Sequence, residues 1–239
     1  MFPVETLEAR RLMSVSLSNG LLRISGSERN DKLTVSVNRA DAGTLDVKLN
    51  NVVTQYKLSD VTGVRIDGRG GDDRIDVNQS NGAIRLSSRI YGGDGNDTIL
   101  GGNGRDRIIA GAGDDSVFSG NGNDSVYGEA GDDSILGGNG RDYLRGDVGD
   151  DSIVGNKGDD RCFGDDGDDR LTGDDGDDSV MGGAGHDHTH GGRGRDHFED
   201  DANDVLDDHG NDDDPLHDVG DDHGGDTGGH GNDDGPGHT

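Results

Sequence analysis

From Gly92 to Glu199 the chain divides into nines without a gap, giving twelve consecutive units. Position four is Gly in all twelve, from Gly95 to Gly194, and position six is Asp in all twelve, from Asp97 to Asp196. Position eight is apolar in eleven: Ile99, Ile108, Val117, Val126, Ile135, Leu144, Ile153, Cys162, Leu171, Val180 and Phe198, with Thr189 the exception. Three columns held in phase over 108 residues exclude an ordinary globular core and a random Gly/Asp tract. Each unit is too short to bury an apolar face alone, so the units must stack on one another.

Within a unit, six residues rich in Gly, Asn and Asp precede three of strand character, as in "GGDGND" before "TIL". The pattern predicts a turn over positions one to six and a strand over positions seven to nine. One small apolar side chain per nine residues is too little burial to offset the ordering of the backbone. Stacked aspartates also repel one another, so a cation has to supply the difference. Calcium takes six to eight oxygens in adaptable geometry. A glycine-rich turn can aim several carbonyls inward, and Asp is short enough to return its carboxylate to its own turn. Aspartate numbers 46 in the chain against five Glu.

The unit G-G-x-G-x-D-x-U-x resembles the RTX, or hemolysin-type, calcium-binding nonapeptide repeat. The resemblance implies an all-β fold, a right-handed parallel β-roll (β-solenoid) with two units per coil and calcium between turns of neighbouring coils. Its ligands are then turn carbonyls and the position-six carboxylates Asp97, Asp106, Asp115, Asp124, Asp133, Asp142, Asp151, Asp160, Asp169, Asp178, Asp187 and Asp196. Twelve turns give about ten Ca²⁺ sites at most. Departures from the unit fall at position one (Ala110, Ser119) and position two (Glu129, Asp147, Asn156, Asp165, Asp174), where strain or weaker binding is expected. The extra Asp at position five, Asp132 among them, is expected to face solvent.

Residues 14–91 read as β without the strict period: "KLTVSV", "TLDVKL" and "GVRID" alternate, with turn signals at Asn19-Gly20, Asn50-Asn51 and Asn81-Gly82. Degenerate units run from Gly26 to Thr34, with Asp31 at position six, and from Gly68 to Asp76, with Asp73 there. Asp73 joins the candidate ligands. Residues 83–91 keep the phase and lose the glycines. This stretch is expected to be a β-rich cap on the roll, a separate small β domain being the alternative. Residues 1–13 form a targeting-like segment: Leu7, Glu8, Arg10 and Leu12 resemble the Leu-Glu-Pro-Arg-x-Leu-Leu motif of exported repeat proteins, with Ala9 in place of Pro and Met13 in place of the last Leu.

The net charge of −29 is uneven: +2 over residues 1–91, −17 over 92–199 and −14 over 200–239, where no Lys or Arg occurs. Such a balance attracts cations and repels nucleic acid and anionic lipid. No apolar run reaches the length of a transmembrane helix. Residues 200–239 read as a disordered Asp/Gly/His-rich tail. All nine His follow residue 185; His186, His188 and His190 form H-x-H-x-H, and His197 lies in the next unit. Such tracts bind Zn²⁺ or Ni²⁺. There is no H-E-x-x-H, G-x-S-x-G or phosphate loop, so no enzymatic activity is expected. The sequence thus points to a secreted or cell-surface calcium-binding roll, structural or adhesive, with no named partner. A module of a toxin or extracellular enzyme, and a transition-metal binder acting through the tail, are the alternatives.

Overall fold

The structure is a computed structural model and describes residues 13–78, 86–199 and 205–207. Seven strands precede the repeats: β1 (Ser14–Ser18), β2 (Leu21–Ser25), β3 (Lys32–Val37), β4 (Thr44–Leu49), β5 (Val52–Lys57), β6 (Gly63–Gly70) and β7 (Arg74–Asn78). The next six are β8 (Ser88–Asp94), β9 (Thr98–Gly102), β10 (Arg107–Ala112), β11 (Ser116–Asn121), β12 (Ser125–Ala130) and β13 (Ser134–Asn139). They continue as β14 (Tyr143–Val148), β15 (Ser152–Lys157), β16 (Arg161–Asp166), β17 (Arg170–Asp175), β18 (Ser179–Ala184), β19 (His188–Arg193) and β20 (His197–Glu199). A last short strand, β21, covers Val205–Asp207.

Successive repeat strands alternate between two sheets. One runs β1-β2-β6-β8-β10-β12-β14-β16-β18-β20, and the other β21-β19-β17-β15-β13-β11-β9-β7-β3-β4-β5. Two units close one coil, so each residue stacks on the same position of the coil before: Ile108 on Val126, Val117 on Ile135. The fold is the all-β parallel β-solenoid that the nine-residue period requires. Strands β2 and β6, and β3 and β7, enter the same two sheets in parallel, while β1 and the β3-β4-β5 meander pair antiparallel.

The strands are longer than three residues. β10 spans positions seven to nine of one unit and one to three of the next, which leaves positions four to six as the turn. In-register stacking gives the strand N–H groups carbonyls in the adjacent coil whatever their side chains. The ladder even crosses into the turn, where Gly113 N–H donates to Ala130 O at 2.7 Å. Position four takes a positive φ in every unit but that of Gly104, as at Gly113 (φ 125°), where a Cβ would lie 2.6 Å from the Gly95 carbonyl oxygen of the preceding coil. Position two also takes a positive φ. Glu129, Asp147, Asn156, Asp165 and Asp174 sit there at φ 76–79°, the left-handed region that short polar side chains tolerate best.

The core is a single file inside the roll. Ile99, Ile108, Val117, Val126, Ile135, Leu144, Ile153, Cys162, Leu171 and Val180 are all buried. It widens toward the N-terminus, where β3 buries Leu33, Val35 and Val37 and β4 buries Leu45, Val47 and Leu49. At the other end, order runs past Glu199 into the stretch expected to be a disordered tail: β21 pairs in parallel with β19. Leu206 stands opposite Thr189, one residue short of the eighteen-residue coil.

Candidate metal centre

The coil brings all thirteen candidate aspartates into two columns, one on each edge of the roll. In the first, Asp73, Asp97, Asp115, Asp133, Asp151, Asp169 and Asp187 follow one another. Each accepts at Oδ1 the backbone N–H of the member one coil earlier, as from Asp115 N–H to Asp133 at 2.8 Å and Asp151 N–H to Asp169 at 2.7 Å. The second column is Asp106, Asp124, Asp142, Asp160, Asp178 and Asp196, bonded in the same way. Twelve of the thirteen are buried; Asp196, at the last described coil, is half-buried.

Their second oxygens decide the chemistry. Oδ2 of Asp97, Asp115, Asp133, Asp151, Asp160 and Asp178 is buried and has no hydrogen-bond partner. In all of these but Asp115, whose unit starts with Ala110, it turns back over the position-one glycine of its own unit. A Cβ placed on Gly155 would lie 2.5 Å from Asp160 Oδ2 and 2.8 Å from the Gly173 carbonyl oxygen of the next coil. The same pair of oxygens surrounds Gly137, where Asp142 Oδ2 and Gly155 O are both at 2.8 Å. Position one is therefore glycine because its missing side chain leaves a small, oxygen-lined cradle.

Burial pushes the carboxyls up from their ordinary range. They reach about 7 for Asp73, Asp106, Asp115, Asp133, Asp142, Asp151 and Asp178, and about 6 for Asp97, Asp160 and Asp169. Asp124 moves up too, with the Ser119 hydroxyl acting against the shift. Repulsion along the column adds to burial, as Asp115 and Asp151 do for Asp133. A buried anionic oxygen without a partner is costly, and a hard cation relieves it.

The donor set is all oxygen, which suits Ca²⁺. Among the described residues no three His, Cys, Asp or Glu side chains converge on one point. A cation held by an Asp Oδ2 thus draws its remaining oxygens from turn carbonyls and water. When bound, it supplies positive charge to both ladders and ties each coil to the next. Two cradles are altered. Ala110 and Ser119 carry a Cβ at position one, and Ser119 Oγ donates to the Gly137 carbonyl at 2.6 Å, the oxygen that borders the cradle elsewhere.

Both ladders end in residues that need no cation. Asp31 N–H donates to Asp73, but the Asp31 carboxylate is already satisfied by Ser27 N–H and Oγ at 2.6 and 2.8 Å and by Asn50 Nδ2 at 2.6 Å. In the second column Ser88 takes position six, is buried, and donates its N–H to Asp106. Ser88 was legible only through the phase of residues 83–91. Position five runs a separate ladder with the opposite polarity: Asp132 is exposed, accepts the Asp150 N–H at 2.9 Å and donates its own N–H to Asp114 at 3.1 Å. His188 and His190 lie on β19, and His197 on β20 in the other sheet. His209 and the later histidines lie outside the described residues, as does the segment Leu7–Leu12.

No curated protein matches the chain. Residues 91–198 match the RTX calcium-binding nonapeptide repeat family (4 copies), in overlapping stretches 91–126, 110–144, 127–162, 136–171 and 163–198. Over residues 91–198, then, the chain is built of RTX calcium-binding nonapeptide repeats.

Proposed function

We propose that this chain is a secreted or cell-surface roll that folds when it meets extracellular Ca²⁺ and then serves a structural or adhesive role. The single observation that carries the reading is the buried, partnerless Oδ2 repeated along both edges. In a low-calcium cytosol these carboxylates keep the roll unfolded and slender enough to export. Outside, calcium at about 10⁻⁴–10⁻³ M, the range of extracellular modules, closes the coils. The reading assigns the chain no catalytic step. The intact cradles hold Ca²⁺, and those at Ala110 and Ser119 hold it weakly or not at all. Among the described residues no helix is long and apolar enough to cross a membrane.

Far-UV circular dichroism in chelator, in Ca²⁺ and in Mg²⁺ tests the proposal. The expected result is a gain of β signal in Ca²⁺ that Mg²⁺, with its tighter octahedral demand, does not reproduce. A full β spectrum in chelator at pH 8 refutes it.

A further inference from the structure

The outer face of the sheet that runs from β1 and β2 through β6 to β20 is unlike the rest of this acidic chain. Arg23, Arg65, Arg89 and Arg107 stand in register on β2, β6, β8 and β10. Stacked strands are about 4.8 Å apart, so four guanidinium side chains line up over about 15 Å. Arg23, Arg89 and Arg107 are exposed and Arg65 is half-buried. Arg145 stands farther along this same face, on β14 between Tyr127 and Phe163, and pairs with Asp147 and Asp165, whereas the Arg74–Asp76 and Arg193–Asp175 pairs of the described residues are on the opposite sheet. Like charges in one column of a sheet repel. Part of that repulsion is relieved by aromatic neighbours: Arg65 lies 4.6 Å over the Tyr91 ring and Arg107 4.6 Å over Tyr127.

From Tyr127 the face continues as a half-buried aromatic run. Tyr127 and Tyr143 have ring centroids 5.8 Å apart, and Tyr143 and Phe163 5.1 Å. Arginines beside a row of rings at a fixed repeat match a linear polymer with one anionic group per unit and a flat apolar face on each ring. We infer that this face is a docking site for a linear anionic polysaccharide of the polyuronate kind. Its carboxylates meet the Arg column, which can bind them bidentately, and its sugar rings lie against Tyr143 and Phe163.

Three observations favour this occupant. The strip is only the two outward columns at positions seven and nine wide, and the turns at its far edge carry the exposed Asp114, Asp132, Asp150 and Asp168. A nucleic-acid duplex, much broader than the strip, would set its phosphates against those aspartates. The ring faces of Tyr91 and Tyr127 are already covered by guanidinium, which leaves charge rather than base stacking to do the recognising there. Finally, the net charge averages over faces: the N-terminal part of this strip belongs to the segment of net +2, and calcium offsets the charge of the repeats.

The inference rests on the adhesive reading above, and its test separates the two. The full-length protein in millimolar Ca²⁺ is titrated calorimetrically with polygalacturonate oligomers, with dextran and a single-stranded oligonucleotide as comparators. Circular dichroism on the same samples reports folding independently. Polygalacturonate is expected to bind and dextran not to. The Arg65→Gln/Arg89→Gln/Arg107→Gln variant should bind at least roughly tenfold more weakly, and the exposed single change Arg89→Glu should weaken binding with the fold intact. Arg74→Gln/Arg170→Gln, on the opposite sheet, should bind as wild type. Equal losses from both faces would reveal bridging by calcium alone, and equal or tighter binding of the oligonucleotide would reveal a nucleic-acid surface. Either result overturns the inference, as does no binding by a protein that shows its full calcium-induced β signal.

Discussion

Replacing Asp133 by asparagine should move the metal-free and calcium-loaded proteins in opposite directions. In the folded, metal-free roll the Asp133 carboxylate is buried, with one oxygen on the Asp115 N–H at 2.8 Å and the other unpartnered. Burial and the neighbouring carboxylates raise it from 3.8 to about 7. A carboxyl raised on folding helps the fold below about pH 4 and loses that help as pH rises to about 7. At pH 8 the ionised group opposes folding by up to about 4 kcal/mol, which solvent screening at the roll edge reduces to about 2. The amide of the Asp133→Asn variant keeps an oxygen for the Asp115 N–H and removes the charge, so the metal-free roll should gain about that much. In calcium the same change removes an anionic ligand and should raise the calcium midpoint by roughly tenfold or more. Asp132→Asn, one residue away and exposed, keeps the bond to Asp150 N–H and should shift either state by less than about 0.5 kcal/mol. Osmolyte-induced folding in chelator, followed by circular dichroism, and calorimetric calcium titration measure the two effects. If the two variants behave alike, the edge binds calcium as a diffuse polyanion and the cradle geometry is wrong.

In chelator, lowering pH from 8 toward 4.5 should increase β signal, because the carboxyls raised to about 6–7 take up protons on folding; with calcium present the midpoint should rise over the same interval, as titrations at fixed pH would show. Gly155→Ala fills the cradle beside Asp160 and should cost about one bound calcium, whereas Ala110→Gly should restore binding at Asp115; equilibrium dialysis counts the ions. Gly113→Ala puts a Cβ 2.6 Å from the Gly95 carbonyl at a positive φ and should lower thermal stability in calcium by about 1–3 kcal/mol. Removing residues 208–239, which lie beyond β21, should leave the calcium-induced transition unchanged in midpoint and steepness by circular dichroism.

The repeat was legible because stacking makes every departure visible: one residue out of phase would turn a whole strand inside out. Gly at position four, Asp at six and an apolar residue at eight each report a separate constraint, a positive φ, an inward carboxylate and a core slot. The length of the strands was not legible. Glycine at positions one to three reads as turn, yet in-register coils pair any backbone, and β10 runs through them. The flat Arg and aromatic face was not legible either. Its members are spread over β2, β6, β8, β10, β12, β14 and β16, and only the fold's in-register pairing of these strands collects them. Position five misled by half: Asp132 faces water, as its place in the turn suggests, but it also ties its coil to Asp150.

The two ladders also fix how the roll must grow. A position-six carboxylate reaches back to the N–H of the coil before it, and a position-five side chain reaches forward to the coil after it. No coil can complete its own hydrogen bonds, so ordering propagates between neighbours rather than arising in each coil alone. The starting point is set at the N-terminal end, where the ladders meet Asp31, already satisfied by Ser27 and Asn50, and Ser88, which carries no charge. That end also buries two or three apolar side chains per strand instead of one. On the folding proposed above, this end would order with few cations, and calcium would then add coils to a template that already exists. With the satisfied ladder ends and the thick core on the same side, the calcium-driven folding proposed above would be directional, from β2 and β3 toward β20.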